Sequence, residues 1–348
     1  MHKDLCFSSR WIWNLSRTTP SRLRMSGNRS YGRTRVPQLT PTPEEHTSIG
    51  VFREQSFERK KPVVFGKHLG SPTSLLPALN KWFTKDLGYN STTLSEHFAQ
   101  FRNVMVPYEI YASTSAQKKS LALFRSHLGK EETQDISIAR SWDLCFADST
   151  NDQDFFQLHA PLQLFNKVLE FNNVLDGRGL QRIVLYIAQC SITDLPQALQ
   201  EDIPTPEIVK HTGKGDIYDS SIWLGITPTY TPLHRDPNPN LFCQLSGTKV
   251  VRLMAPREGD WLFRKVQAEL QRSGNSRIRT DEMMQGEERD KLHQAVWEAD
   301  ANEPVPPGTY EAILSPGDAM FIPTHYWHSV KSVGESGELN ASVNWWFR

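Results

Sequence analysis

Two stretches decide the fold of this chain: TPTYTPLHRDPNPNLFCQLSGTKVVRLM (Thr227–Met254) and GDAMFIPTHYWHSV (Gly317–Val330). Both are rich in apolar residues and are typical of buried strands. In the first, His234 and Asp236 stand two residues apart, so on a strand both side chains point to the same face. His328 lies in the second stretch, and it can meet them only if the sheet closes on itself, as in a jelly roll.

Two imidazoles and one carboxylate form the facial set that binds Fe(II) and leaves open positions for other ligands. Zinc in the same set would favour hydrolysis instead. His-x-Asp alone is a weak signal, because a chain with 11 histidines contains it by chance about once. The later His328 and the nearby Lys249 strengthen the metal interpretation.

Lys249 stands in an apolar run, TKVVRLM, that is typical of a buried strand. A lysine is rarely buried without an acidic partner, and the alternative is a side chain that reaches water at the strand end. Beside an iron site, a dicarboxylic co-substrate is the better partner, because an ammonium group and a carboxylate form a charge-assisted hydrogen bond.

These features resemble the JmjC family of Fe(II)- and 2-oxoglutarate-dependent oxygenases. The resemblance is strongest to its small, cupin-like hydroxylase branch, which includes the asparaginyl hydroxylase that inhibits the hypoxia-inducible factor. His325 is an alternative to His328, but the Trp327-His328 pair matches the family. Besides the two opening stretches, the matching segments are SFERKKPVVF (Ser56–Phe65), LYIAQ (Leu185–Gln189) and SVNWWF (Ser342–Phe347).

The resemblance implies a site that uses Fe(II), 2-oxoglutarate and O2, with no catalytic residue beyond the metal ligands. The residues that it assigns to the metal are His234, Asp236 and His328. The residues that it assigns to 2-oxoglutarate are Lys249, Thr231, Tyr186, Asn240 and Asn344. For the two asparagines, an ordinary place in a turn or at a strand end is the alternative.

The resemblance also implies a mainly β fold with α-helices, a double-stranded β-helix (a cupin-like jelly roll) with helices packed around it. The oxygenase domain is expected over 46–348, with a barrel core at about 181–348. A charged insertion at about 261–310 is expected to contain helices Trp261–Arg272 and Glu287–Ala299. Such an insertion covers or flanks the site, so the substrate cannot be carried over from the family.

Four local predictions concern the remaining elements. Helices are expected over Ser74–Phe83, capped by Ser74, over Ala160–Phe171, with Pro161 in its first turn, and over Thr193–Gln200, capped by Thr193. A strand over Val104–Tyr111 is expected to break at Pro107.

Composition excludes several protein classes. The mean hydropathy is −0.51 and no apolar run approaches the length of a membrane span, so no membrane partner is expected. No CxxC pair occurs, which excludes the common zinc-finger and redox motifs and favours a reducing compartment with free thiols. The four cysteines are Cys6, Cys145, Cys190 and Cys243.

The amino-terminal segment, residues 1–45, is basic although the whole chain has a formal net charge of zero. Its Arg- and Ser-rich composition favours a mitochondrial transit peptide, and a disordered tail is the alternative, with the protein then in the cytoplasm or nucleus. The remainder of the chain is net negative, so nucleic acid is not the favoured partner.

We therefore predict an Fe(II)- and 2-oxoglutarate-dependent dioxygenase that hydroxylates a protein side chain and releases succinate and CO2. The alternatives are a histone lysine demethylase, a tRNA-base hydroxylase and a non-catalytic cupin-like binding module. The intact ligand set with Lys249 counts against the binding module. A protein substrate is expected, and a homodimer is an open alternative to a monomer.

Overall fold

The computed structural model describes residues 37–68, 70–86, 91–128, 136–146, 153–175, 180–271, 284–298, 306 and 308–348. The basic segment up to residue 36, with its predicted targeting role, lies outside the described residues, as do the middle and the end of the predicted insertion. Among the described helices, none combines the length and the apolarity that crossing a bilayer requires.

Strands dominate the described chain, and they are arranged in two sheets and one hairpin. The strands are β1 (Pro41–Thr42), β2 (Val63–Phe65), β3 (Phe83–Asp86), β4 (Ser91–Leu94), β5 (Met105–Tyr111), β6 (Phe155–Pro161), β7 (Leu185–Ser191), β8 (Ile217–Ile226), β9 (Tyr230–Arg235), β10 (Asn240–Ser246), β11 (Thr248–Met254), β12 (Thr309–Leu314), β13 (Ala319–Ile322), β14 (Trp327–Val333) and β15 (Leu339–Phe347). The nine-stranded sheet has the order β1-β2-β13-β10-β15-β8-β7-β5-β6, the four-stranded sheet has the order β12-β11-β14-β9, and β3 pairs with β4.

Helices cover the outer faces of both sheets. They are α1 (Ile49–Phe52), α2 (Ala78–Lys81), α3 (Glu96–Ala99), α4 (Ser115–Leu128), α5 (Ile136–Phe146), α6 (Gln163–Leu175), α7 (Gln197–Glu201), α8 (Glu207–Thr212), α9 (Pro256–Glu269) and α10 (Gly286–Trp297). With the two sheets packed face to face, this arrangement is the predicted cupin-like jelly roll with surrounding helices.

Three apolar cores separate these layers, and strand alternation assigns residues to them. On β10, Leu241 and Cys243 join the large core under the amino-terminal helices, whereas Phe242 between them joins the core enclosed by the two sheets. Leu233 of β9 and Met254 of β11 belong to a third core, between the four-stranded sheet and helices α9 and α10. Central strands are thus buried on both faces, which explains their nearly continuous apolar sequences.

The two predicted helices of the insertion are confirmed as α9 and α10, although α9 begins earlier than expected. Its first residue is Pro256, with Ala255 as the capping residue. Proline suits this first helical position, because its missing N–H would have had no partner inside the helix.

The other local predictions need correction, each because of a proline. Residues 74–83 contain only the short helix α2, which follows Pro77. Pro161 ends β6, and α6 begins only at Gln163. Pro196 separates a 3-10 turn at Ile192–Asp194 from α7, so Thr193 is not a helix cap. A residue that precedes proline is disfavoured in the helical region, which splits or delays these helices.

The predicted break at Pro107 is also wrong, since β5 runs through that residue. Pro107 lies opposite His159 of β6, whereas β5 pairs with β7 only at Glu109 and Ile110. One side of β5 therefore lacks a ladder partner at Pro107, and a proline without an N–H is tolerated there.

Candidate metal site

The four-stranded sheet brings the two histidines together by its register. β9 and β14 are antiparallel, with His328 directly opposite His234 and Trp327 directly opposite Arg235. Asp236 follows immediately after the end of β9, where Pro237 stops the strand. Cross-strand neighbours have adjacent side chains, so strand pairing alone places both imidazoles at one point inside the barrel.

One atom from each of His234, Asp236 and His328 lies within 4.8 Å of the others. Nε2 of His234 is 3.8 Å from Oδ1 of Asp236, and Nε2 of His328 is 3.6 Å from Oδ2 of the same carboxylate. The two imidazole centroids are 4.2 Å apart. His325 is exposed and stands outside this group, which is the one cluster of three such side chains within the described ranges.

Backbone carbonyls set the tautomer of both imidazoles. Nδ1 of His234 donates to the carbonyl oxygen of Pro232 at 2.8 Å, and Nδ1 of His328 donates to that of Tyr326 at 3.1 Å. Burial, and then the charge of His234, lower the pKa of His328 to about 4 against the opposing effect of Asp236. A neutral imidazole with an unprotonated Nε2 is the form that binds a metal.

The carboxylate of Asp236 is held from the other sheet. The indole Nε1 of Trp346 donates to its Oδ2 at 2.7 Å. Trp346 was not among the predicted site residues, yet it alternates along β15 with Asn344, and side chains two apart share a face. The same alternation points to Ser342, so the period of the strand was a signal for both residues.

Lys249 is 2% exposed, which confirms that the strand position is buried. Its Nζ donates to Oγ of Ser342 at 2.9 Å and lies 5.8 Å and 5.4 Å from the ring centroids of Tyr186 and Phe242. Within the described residues no carboxylate forms a salt bridge with it. Burial lowers the pKa of Lys249 to about 7, so the ammonium group lacks the anion that would restore its ordinary pKa.

The other residues assigned to 2-oxoglutarate lie around the same cavity. Thr231 hydrogen-bonds Tyr186, whose pKa is raised mainly by burial and further by Glu109, with Thr231 acting in the opposite direction. Nδ2 of Asn344 donates to Oδ1 of Asn240 at 2.9 Å, and both asparagines are buried. The structure therefore brings all eight predicted residues together at one cavity of about 300 Å³.

The donor set of this cavity fits a divalent metal and an acid. His234, Asp236 and His328 could hold a metal that prefers imidazole and carboxylate ligands, and they leave part of its coordination sphere open. At the other end of the cavity, Lys249 offers a buried positive charge without an anionic partner among the described side chains. A small anion that reaches from the metal to Lys249 would satisfy both.

Comparison with protein families matches residues 50–348 to a cupin-like domain. Among curated relatives, Lysine-specific demethylase 8 of Danio rerio is 30% identical over 164 residues, which are 47% of this chain and 36% of the relative. Jumonji C domain-containing protein 5 of Drosophila melanogaster is 30% identical, with the same coverage of 47% and 36%.

A third relative is the bifunctional peptidase and (3S)-lysyl hydroxylase JMJD7 of Homo sapiens, 35% identical over 143 residues, which are 38% of this chain and 41% of the relative. The matches thus span less than half the length of these relatives. The family model covers most of the chain. Relatives of the chain include a protein named for a Jumonji C domain, and the chain itself belongs to the cupin-like domain family.

Proposed function

We propose that this chain is an Fe(II)- and 2-oxoglutarate-dependent dioxygenase that hydroxylates a protein side chain. One observation carries the proposal: a facial set of His234, Asp236 and His328 shares a cavity with a buried lysine that lacks a carboxylate partner among the described residues. Similarity to relatives named for a Jumonji C domain and for lysyl hydroxylation supports the same activity. We place the folded oxygenase at 46–348, close to the range of the family model.

Each residue would have a defined role. His234, Asp236 and His328 would hold the iron, which when bound supplies the oxidation chemistry coupled to conversion of 2-oxoglutarate and O2 to succinate and CO2. Lys249 would pair with the distal carboxylate of 2-oxoglutarate. The further contacts to 2-oxoglutarate would come from Thr231, Tyr186, Asn240 and Asn344.

Lys249 favours an oxygenase over a zinc hydrolase. A hydrolase needs the metal and a water molecule, and it gives no reason to bury an ammonium group beside them. A dicarboxylic co-substrate gives that reason, because its distal carboxylate would offset the cost of removing Lys249 from water. The surrounding Tyr186 and Phe242 rings keep water away from this end of the cavity, which strengthens such a pairing.

Acidic and aromatic residues between the metal cavity and its neighbour favour a basic side chain as the substrate class. Asp219 and Trp223 line both the metal cavity and an adjoining cavity of about 470 Å³, which also contains Glu109. Carboxylates that line a cavity attract a cationic group, and an aromatic ring can hold it. Two of the relatives are named for lysine chemistry, one as a demethylase and one as a lysyl hydroxylase, which supports lysine.

A lysine demethylase is the second candidate, supported by the name of the Danio rerio relative. The two functions share the metal and the co-substrate and differ in the product. A hydroxylase adds one oxygen atom to the peptide, whereas a demethylase acts on a methylated lysine and releases formaldehyde.

The first test is succinate formation from 2-oxoglutarate by purified protein with Fe(II) and ascorbate, beside a His234→Ala variant. Turnover that disappears in the variant supports the oxygenase. A protein that binds neither Fe(II) nor 2-oxoglutarate would contradict the proposal and leave a non-catalytic module. Mass spectrometry of matched peptides with unmodified and methylated lysine then separates hydroxylation from demethylation.

A further inference from the structure

Helix α9 approaches the metal ligands from outside the barrel. Strand alternation points His234 and His328 inward, so their neighbours Arg235 and Trp327 point outward, toward α9. Trp327 is fully buried there, with its ring centroid 5.0 Å from that of Phe263. A side chain at Gly259 would place its Cβ 2.2 Å from the Trp327 ring, so only glycine allows α9 to lie this close.

One carboxylate on α9 joins the two ligand strands. Oδ1 of Asp260 accepts a hydrogen bond from Nη1 of Arg235 at 2.9 Å and another from Nε1 of Trp327 at 2.9 Å. Arg235 also lies over the Trp327 ring, at 5.4 Å from its centroid. Arg235 and Trp327 are directly opposite each other in the register of β9 and β14. Asp260 therefore connects the cross-strand pair that adjoins the His234–His328 pair.

We propose that Asp260 is a positioning residue for the metal, and that it fixes the spacing of the ligand strands through Arg235 and Trp327. This inference rests on the proposed function. Arg235 lies between His234 and Asp236 in the chain, and Trp327 immediately precedes His328, so a shift of either strand moves a ligand directly. Helix α9 thus holds the ligand strands from behind the sheet.

The hydrogen bonds of Asp260 to Arg235 and Trp327 are shorter and less exposed than its remaining contact. Its other oxygen, Oδ2, is 3.9 Å from Nη2 of Arg264 one turn further along α9, a longer and more exposed contact. Glu269, at the end of the same helix, provides a matched carboxylate: it lies 3.8 Å from Nζ of Lys265 and 4.0 Å from Nζ of Lys291, neither of which adjoins a ligand.

The test measures Fe(II) affinity under anaerobic conditions and the visible spectrum of the Co(II)-loaded protein. The variants are Asp260→Ala, Asp260→Asn and the control Glu269→Ala. Loss of a group that hydrogen-bonds a metal ligand directly typically weakens metal binding about tenfold to hundredfold. Asp260 acts through the neighbours of the ligands, so we expect Asp260→Ala to weaken Fe(II) binding by about tenfold, the lower end of that range, with an altered Co(II) spectrum. Asp260→Asn keeps an acceptor oxygen, so its Fe(II) affinity should fall less than that of Asp260→Ala. The Fe(II) affinity of Glu269→Ala should match that of the wild type.

Two results would overturn the proposal. Equal losses in Asp260→Ala and Asp260→Asn would mean that only the negative charge matters, and wild-type affinity in both would mean that Asp260 has no role in metal binding. If Asp260→Ala does not fold, Trp327→Phe decides: it removes one donor and keeps a ring against Phe263, and it should weaken Fe(II) binding. A wild-type protein that binds no metal would instead contradict the proposed function itself.

Discussion

Two cavities share the side chain of Tyr186 and differ in how their charged groups are balanced. The metal cavity has a volume of about 300 Å³, whereas the cavity beside α10 has about 870 Å³. In the larger one, Arg289 lies 4.2 Å and 5.0 Å from the ring centroids of Tyr111 and Tyr230, and 3.5 Å from Asp290. His293 lies 3.1 Å from Glu298.

The difference teaches that cavity volume does not identify the site in this fold. The cations of the larger cavity contact aromatic rings or carboxylates of the protein. These contacts connect α10 to strands of both sheets, so the groups around this cavity have a structural role. In the smaller cavity, Lys249 contacts a hydroxyl group and two rings, and both imidazoles hydrogen-bond backbone carbonyls through Nδ1, which leaves Nε2 for a metal. Buried polar groups that lack an oppositely charged partner or a hydrogen-bond partner mark a place where a ligand can bind.

The largest expected effect is the loss of a metal ligand. Asp236→Ala should abolish turnover and weaken Fe(II) binding by more than the roughly hundredfold that losing an outer-shell partner costs. Isothermal titration under anaerobic conditions measures the affinity. Asp290→Ala, at the larger cavity, is the matched control, and a comparable loss in that variant would break the contrast between the two cavities.

The second-largest effect is expected on the affinity for 2-oxoglutarate, when the buried charge of Lys249 is removed. Lys249→Ala should weaken 2-oxoglutarate binding by about tenfold to hundredfold, because a hydrogen bond to a charged group contributes about 1.5–3 kcal/mol. Fe(II) affinity should change little, which separates this residue from the ligands. Lys331→Ala removes a lysine from the other cavity and should leave both affinities near wild type.

The lowered pKa of Lys249 predicts that the affinity for 2-oxoglutarate depends on pH. The pKa of Lys249 in the free protein is lowered to about 7, and a carboxylate prefers the protonated form. Affinity for 2-oxoglutarate should therefore fall as the pH rises above 7, by up to about tenfold per pH unit, with proton uptake on binding. Titrations in buffers of different ionisation enthalpy measure both. If the affinity for 2-oxoglutarate is independent of pH and equal to that of Lys249→Ala, Lys249 does not pair with the carboxylate.

The smallest effect is expected at the larger cavity. Arg289→Ala removes two cation–aromatic contacts worth about 0.5–1 kcal/mol each, so the melting temperature should fall by a few degrees. Fe(II) and 2-oxoglutarate affinities should remain near wild type. A large change in either affinity would show that the two cavities act together, which would contradict their separate roles.

The sequence predicted the residues whose placement follows from strand alternation. His234 lies on β9 and Asp236 directly follows that strand, so alternation along one strand was sufficient to group them. Lys249 lies on β11, which β14 separates from β9, and the family resemblance was needed to add it to the site. Alternation along β15 placed Trp346 on the face of Asn344, but its contact with Asp236 depends on the spacing of the two sheets, and the contacts of Asp260 depend on the angle at which α9 crosses the sheet. No local periodicity records either quantity.

The same reasoning explains the errors at prolines. Short helices such as α2 and α7 begin where Pro77 and Pro196 allow, whereas apolar periodicity extends beyond these points. At Pro107 the opposite happened, since the missing ladder partner on one side of β5 removed the cost of the proline. Neighbouring strands decide the outcome, and the sequence of one segment does not specify its neighbours.

The burial of Lys249 also has a consequence for the lifetime of the folded chain. A ligand that binds only the folded state stabilises it, by about 2.7 kcal/mol when its concentration is a hundred times its dissociation constant. If 2-oxoglutarate binds beside Lys249, its concentration sets how often the chain unfolds and becomes accessible to proteases. Scarcity would then reduce the amount of the protein in addition to its rate of turnover.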